Sequence, residues 1–262
     1  MSYQTILYDH EAGVATITFN RPDKLNALNH EMLAEFKDAL DRVRRDPEIR
    51  VLLLTGTGRS FIAGADIQVF LEFDPLAAQA FAASAHETGF ALEALPIPVI
   101  AAVNGPAIAG GMILATIPDF TLATPESKFG FNEVRVGFVP AIAASFLLRQ
   151  VGEKRSRELL LTGRLLKAQE AFCMGLVTQV VAAEELMQTA HALAQTLLQN
   201  SPQAMQAVKR LLAKHARRWL DEEIEDAIEV NALQRSTEDF KEGVQAFLQH
   251  RKPEWPSSKG RG

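Results

Sequence analysis

The sequence predicts an α/β fold with crossover connections, and three observations carry that prediction. Short apolar runs of strand length recur: Val51-Leu-Leu-Leu-Thr55, Pro98-Val-Ile-Ala-Ala-Val103 and Asp119 to Ala123. Two of them end in glycine turns, Phe61-Ile-Ala-Gly-Ala-Asp66 and Asn104-Gly-Pro-Ala-Ile-Ala-Gly-Gly111, that open into helical patterns. Segments of helical spacing separate the runs, as expected when strands are joined by helices rather than by hairpins.

Taken in order, Ile6 to Asp9 and Val14 to Phe19 read as a hairpin turned at Glu11-Ala-Gly13. Asn20-Arg-Pro-Asp23 breaks that pattern. A helix follows from Asn29, with Met32, Leu33, Phe36, Leu40 and Val43 on one face, and stops before Pro47. A second helix is expected from about Pro75 to Leu95, after the first glycine turn. Pro140 to Val151, Lys154 to Leu161 and Ala168 to Met174 read as helices, with Val177 to Val181 as the last strand. From Ala183 the pattern is helical almost to Trp255, broken at Ser201-Pro202. Leu220 to Val230 sets apolar residues at helical spacing against acidic ones, so one face should pack, on its own domain or on a neighbouring subunit. Phe70, Phe73, Phe81 and Phe90 read as core or as the lining of a ligand tunnel.

Composition narrows the function classes. The chain has 262 residues, 47% of them hydrophobic and 23% charged, enough to bury a sizeable core. A net charge of −5 argues against a nucleic-acid or anionic-membrane partner, since both need a basic face. One cysteine, Cys173, leaves no internal disulfide and is expected to be buried. The start lacks the pattern of a signal peptide, and nothing approaches the ~20 apolar residues that span a bilayer. A cytoplasmic enzyme is the expectation. The six histidines show no metal spacing, no Gly-Lys-Ser/Thr follows the glycine pair, and no serine sits in a nucleophile elbow.

The chemistry is carried by the two glycine turns. A strand that ends in such a turn before a helix leaves backbone N–H groups unpaired. Two such turns facing each other would hold an oxygen that becomes negative during a reaction, an enolate or a tetrahedral oxyanion. The alternative is two ordinary strand-to-helix turns. Enolate chemistry also needs a group to move protons, and a carboxylate in an apolar pocket suits it because burial raises its pKa toward neutrality.

These segments together resemble the crotonase family of enoyl-CoA hydratases and isomerases. The resemblance runs from Asn20-Arg-Pro-Asp-Lys-Leu-Asn-Ala-Leu28 through both turns, Leu161-Thr-Gly163 and Ala168 to Val177, to Asp239-Phe-Lys-Glu-Gly-Val-Gln-Ala-Phe247 and Arg251-Lys-Pro253. It implies a spiral of ββα units over residues 1–200 and a helical region over 201–262 that builds homotrimers, usually paired into hexamers. It implies an acyl-CoA substrate and no separate cofactor, coenzyme A being part of that substrate. The N–H groups of Ala65 and Gly110 become the oxyanion donors. Lys24, Leu25, Ala27, Arg59, Ala63, Asp66, Ile67, Gln68 and Ile113 fall at substrate-binding positions, with Asp66 also suited to orienting its turn. Two lysines of well-known hydratases are Gln68 and His250 here, so phosphate contacts would be fewer or come from Arg251, Lys252 or another subunit.

The sequence departs from the family at one catalytic position. Typical hydratases carry two glutamates; the first is replaced by Ile113 in Gly110-Gly-Met-Ile-Leu114, and the second is kept as Glu133. Isoleucine neither transfers a proton nor holds a water. A lone carboxylate moves a proton from one carbon to another most simply, which is the 3-enoyl to 2-enoyl isomerase reaction. Glu133-Val-Arg-Val-Gly-Phe-Val-Pro-Ala-Ile142 is closer to a bacterial hydratase branch, including methylglutaconyl-CoA-type hydratases, that also lacks the first glutamate. Hydratase is the leading expectation, isomerase the second, and a non-catalytic acyl-CoA-binding or scaffold protein the third. For Glu133 itself the plain alternative is an exposed acid paired with Arg135.

Overall fold

The computed structural model describes residues 3–66, 75–217, 227, 229–231 and 233–260. In chain order the first half comprises β1 (Ile6–Glu11), β2 (Val14–Phe19), α1 (His30–Arg45), β3 (Val51–Gly56), α2 (Pro75–Glu93), β4 (Val99–Val103), β5 (Ala107–Ile108), α3 (Gly110–Thr116), β6 (Phe120–Ala123) and β7 (Lys128–Gly130). The second half comprises α4 (Ala141–Thr162), β8 (Leu166–Lys167), α5 (Ala168–Cys173), β9 (Gln179–Val180), α6 (Leu186–Leu198), α7 (Pro202–Arg217) and α8 (Glu238–Leu248).

The main sheet has six strands in the order β1-β2-β3-β4-β6-β9. Only the β1–β2 hairpin is antiparallel; the other neighbours pair in parallel. A central parallel strand is covered on both faces, so it must be apolar throughout. Val51 to Leu54 of β3 and all five residues of β4 are buried accordingly. Leu52, Leu54, Ala101 and Val103 face one side of the sheet and join Met32, Phe36 and Leu40 of α1. Val51, Leu53, Ile100 and Ala102 face the other and join Leu186, Ala190 and Ala194 of α6. Asn29 caps α1 as its sequence position demands, accepting the Met32 N–H at 2.9 Å.

The structure also differs from the sequence reading. A second sheet, β5-β7-β8, has strands of two or three residues, too short to show a period. The two helices read over Pro140 to Val151 and Lys154 to Leu161 are, by contrast, present: they are the two arms of α4, parted by a kink at the non-helical Gly152 (φ 75°, ψ 168°). The last strand is not Val177 to Val181 but the pair Gln179–Val180, opposite Leu122 and Ala123 at the end of β6. Cys173 is exposed rather than buried: α5 turns Ala168 and Ala171 inward and Phe172 and Cys173 outward. Among the described residues no helix is long and apolar enough to cross a membrane.

Candidate active site

The two glycine turns are strapped to each other. Ile62 and Ala107 form a parallel bridge, with Ile62 N–H donating to the Pro106 carbonyl at 3.1 Å and Ile108 N–H to the Ile62 carbonyl at 2.9 Å. Glycine is required where the backbones close on each other. A Cβ on Gly111 would lie 2.1 Å from the Ile62 carbonyl oxygen, and one on Gly105 2.2 Å from the Arg59 carbonyl oxygen. Gly110 has more room, since among the described residues its Cβ would meet only the end of the Leu28 side chain, at 2.8 Å. Between them Ala109 holds φ 53° and ψ −122° as the residue preceding α3. That conformation costs an L residue about 1–3 kcal/mol, and such strain concentrates at functional sites.

The first turn is also fixed from the other side. Leu28 and Ala65 form a second parallel bridge, in which Leu28 N–H donates to Gly64 O (2.9 Å) and Asp66 N–H to Leu28 O (2.8 Å). That pattern uses the groups flanking Ala65, so the Ala65 N–H points to the opposite edge, and Ala65 lines the cavity there. Among the described residues no backbone oxygen accepts from it. The Gly110 N–H opens α3 and so has no intrahelical acceptor.

The loop 21–28 is built around Asn26, which is fully buried at φ 57°. Its Oδ1 accepts from Arg21 N–H (2.8 Å), while Nδ2 donates to Thr57 O (3.0 Å) and Ser60 O (2.8 Å). Arg21 donates to the Ala27 carbonyl and pairs with Asp66 at 3.1 Å. Asp66 therefore orients its turn, as its sequence position allowed. Both partners are mostly buried, with side chains 18% and 13% exposed, so removing one strands the other. Asp66→Ala is expected to cost about 1–3 kcal/mol, read as a lower urea midpoint, with Asp66→Asn losing less.

Glu133 opens the short 3₁₀ turn Glu133–Val136, just after β7. Helix α8 backs that turn at backbone contact distance. A Cβ on Gly243 would lie 2.3 Å from the Val136 carbonyl carbon, and one on Gly137 (φ 68°) 2.4 Å from the Asp239 carbonyl oxygen. Helix α8 then supplies Phe240, Val244 and Phe247 to the wall of a cavity of about 200 Å³. Glu133 lines the same cavity with Leu28, Ala63, Ala65, Gly110 and Ile113. Burial raises the Glu133 carboxyl to about 7, and among the described residues no hydrogen-bond donor reaches its Oε2. Among the described residues Glu133 forms no ion pair, and Arg135 is exposed, so the reading of a solvated Glu133–Arg135 pair is replaced by a half-buried residue whose carboxyl Oε2 is buried in the cavity.

The candidate residues thus divide. Ala63, Ala65, Gly110, Ile113 and Glu133 meet at one cavity. Leu25, Ala27 and Asp66 build the adjoining loop, Leu25 by accepting the Ala63 N–H at 3.1 Å. Lys24 and Arg59 are exposed beside it. Ile67, Gln68, Phe70 and Phe73 lie outside the described residues, as does most of Leu220 to Val230. Phe81 lines the cavity, while Phe90 packs against Phe146 with ring centres 5.7 Å apart. Arg251 is held by Glu242 through two hydrogen bonds (2.5 and 2.8 Å), which ties up the cation considered for phosphate. Sequence reasoning missed Arg21, Asn26, Gly111, Asn231 and Arg235. The last two line the cavity from a helical stretch near the C-terminus; burial pulls Arg235 down to about 10, and its guanidinium stands 4.8 Å from the Phe138 ring centre. The Asn-Arg-Pro motif and the doubled glycine were signals for Arg21 and Gly111, whereas no local pattern marks Asn231.

Comparison with known proteins identifies the family. Residues 9–258 match the family model described as enoyl-CoA hydratase/isomerase. The crotonyl-CoA hydratase of Syntrophomonas wolfei is 38% identical over 258 residues, 96% of this chain and 98% of that protein. The 1,2-epoxyphenylacetyl-CoA isomerase of Escherichia coli is 36% identical over 262 residues, 95% of this chain and 97% of that protein. A crystal structure of an enoyl-CoA hydratase from Mycobacterium avium subsp. paratuberculosis superposes with a TM-score of 0.88 at 29% identity, covering 97% of this chain and 99% of that one. With residues 9–258 of the chain matched by the family model and the crotonase fold in place, the chain belongs to the enoyl-CoA hydratase/isomerase family.

Proposed function

We propose that the protein adds water across the double bond of a 2-enoyl-CoA thioester, with Glu133 as its single acid–base group. The observation that carries this reading is the Glu133 carboxyl, raised to about 7 by burial in the cavity that Ala65 and Gly110 also line. Near neutral pH such a group is divided between its two forms, the condition under which it both takes and returns a proton. As carboxylate it removes a proton from water while the water oxygen bonds to C3, and the electron pair of the double bond moves onto the thioester oxygen. The Ala65 and Gly110 N–H groups stabilise that enolate. Glu133 then returns the same proton to C2, and the other water hydrogen stays in the product hydroxyl. One carboxyl closes the cycle, so the isoleucine at 113 does not forbid hydration.

Isomerisation of a 3-enoyl-CoA is the second reading, supported by the same Ile113, because moving a proton from C2 to C4 needs no water. Matched 2-enoyl and 3-enoyl thioesters, with products separated by mass and retention, distinguish the two. Hydroxyacyl-CoA formed from the 2-enoyl substrate supports hydration, whereas 2-enoyl-CoA accumulating from the 3-enoyl substrate without hydroxyacyl-CoA replaces it with isomerisation. No turnover of either would favour the acyl-CoA-binding reading. The Lys24–Ala27 loop and Arg59 are the proposed contacts for the coenzyme A moiety.

Assembly into homotrimers or hexamers through the region after residue 200 is part of the proposal. Val208, Leu211 and Leu212 of α7 are 54, 60 and 65% exposed, an apolar face that a lone subunit leaves in water. Light scattering during gel filtration is expected to give a mass three or six times 28.8 kDa. A monomer would refute that assignment. A cytoplasmic location is part of the proposal.

A further inference from the structure

Hydration poses a problem that isomerisation does not. The attacking water has two O–H groups, and Glu133 takes only one of them. Among walls that are mostly apolar side chains the second needs an acceptor of its own, because a hydrogen bond left unmade there is costly. Ile113, at the position where family hydratases carry another carboxylate, offers nothing.

A second acceptor faces the same cavity from the opposite end of the sequence. Asn231 lines it and is itself only 6% exposed. Its Nδ2 donates to the Val139 carbonyl at 3.4 Å, the orientation that keeps Oδ1 from facing that carbonyl oxygen. Its Oδ1 is buried, and no donor of the protein reaches it among the described residues. Buried polar atoms are nearly always partnered, so an orphaned acceptor lining a binding cavity calls for a donor brought by what the cavity takes in. Glu133 Oε2 is orphaned in the same way. Two buried acceptors on one cavity match a molecule with two donors.

We propose that Asn231 is a positioning residue for hydration, its Oδ1 accepting the water O–H that Glu133 does not take and keeping that hydrogen bond to the product hydroxyl. This rests on the hydratase reading above. Asn231 neither gains nor loses a proton. It orients the water lone pair toward C3 and takes over the holding role that Ile113 abandons, from a different element and without a second charge next to Glu133.

The test separates water addition from proton transfer at C2. Exchange of the C2 hydrogens of butyryl-CoA with deuterated water requires Glu133 and the oxyanion donors but no attacking water. Asn231→Leu and Asn231→Met remove the acceptor at similar volume, and the second covers the case in which the first fails to fold. Hydration of crotonyl-CoA is expected to fall about 10–100-fold in both, the loss of one to two hydrogen-bond equivalents, while butyryl-CoA exchange stays within about twofold. Unchanged hydration would overturn the role of Asn231 and leave the hydratase reading standing. Equal loss of hydration and exchange would make Asn231 a structural residue and overturn the proposal. A parent enzyme that exchanges butyryl-CoA but forms no hydroxyacyl-CoA would sink the hydratase reading and this inference with it.

Discussion

Glu133→Gln is expected to lower turnover by about 10²–10⁴-fold, the range that one positioned acid–base group contributes, and to make the protein more stable above neutral pH. The two effects share a cause. The unfolded chain ionises Glu133 at its ordinary 4.5, whereas burial holds the folded group at about 7. Between those values the folded state binds more protons than the unfolded one, so stability falls as pH rises. The full penalty, on the order of 3 kcal/mol, is reached above pH 7 and vanishes below about 4.5. Glutamine resembles the protonated acid and carries no such penalty. Denaturant unfolding at pH 5 and pH 8 checks this: parent and variant should nearly coincide at the lower pH and separate at the higher. In the parent, kcat/KM should rise with pH through an ionisation near 7, and the residual rate of Glu133→Gln should lose that limb. A variant that is fully active, or equally stable at both pH values, would show that Glu133 is not the buried proton carrier.

Gly111→Ala is expected to be the most damaging single-methyl change in the site. Its Cβ would stand 2.1 Å from the Ile62 carbonyl oxygen and 2.8 Å from Ile62 Cβ, and a strapped backbone does not swing aside as a side chain does. The turns must part, which costs about 1–3 kcal/mol or more and moves the proposed oxyanion donors relative to each other. Gly110→Ala meets, among the described residues, only the end of Leu28, which rotates away. It should fold near the parent midpoint and alter acyl binding instead. Thermal unfolding of the pair, with kcat and KM for each soluble variant, separates them. A Gly111→Ala protein as stable and active as Gly110→Ala would mean that the packing of the turns does not set the donor geometry.

Features written in short stretches of chain were legible before the structure. The apolar runs of β3 and β4, the Asn29 cap and the break at Gly152 each depend on neighbours within a few residues, so residue type and spacing reveal them. The three-stranded sheet was not legible, because two-residue strands carry no alternation and are fixed only by their partners. Which glycine bears the steric demand was hidden for a similar reason: Gly110 and Gly111 look alike in sequence, and the distinction lies in Ile62, 48 positions from one and 49 from the other. The Arg21–Asp66 pair joins residues 45 apart, and Asn231 reaches a cavity whose acid is nearly 100 positions upstream. The family resemblance supplied Ala65, Gly110 and Glu133, but only geometry showed that Glu133 is a buried acid rather than a surface one.

The contact between α8 and the Glu133 turn bears on how the chain comes into being on the ribosome. Strands, turns and Glu133 itself emerge well before Gly243 and Phe240. Until those residues dock, one wall of the cavity is missing, and Glu133 remains a wet carboxylate of ordinary acidity. The proton-transfer role proposed for Glu133 would therefore arise late in synthesis, after the frame that positions it. A nascent enzyme of this design would engage its thioester chemistry only once that closing helix had been delivered.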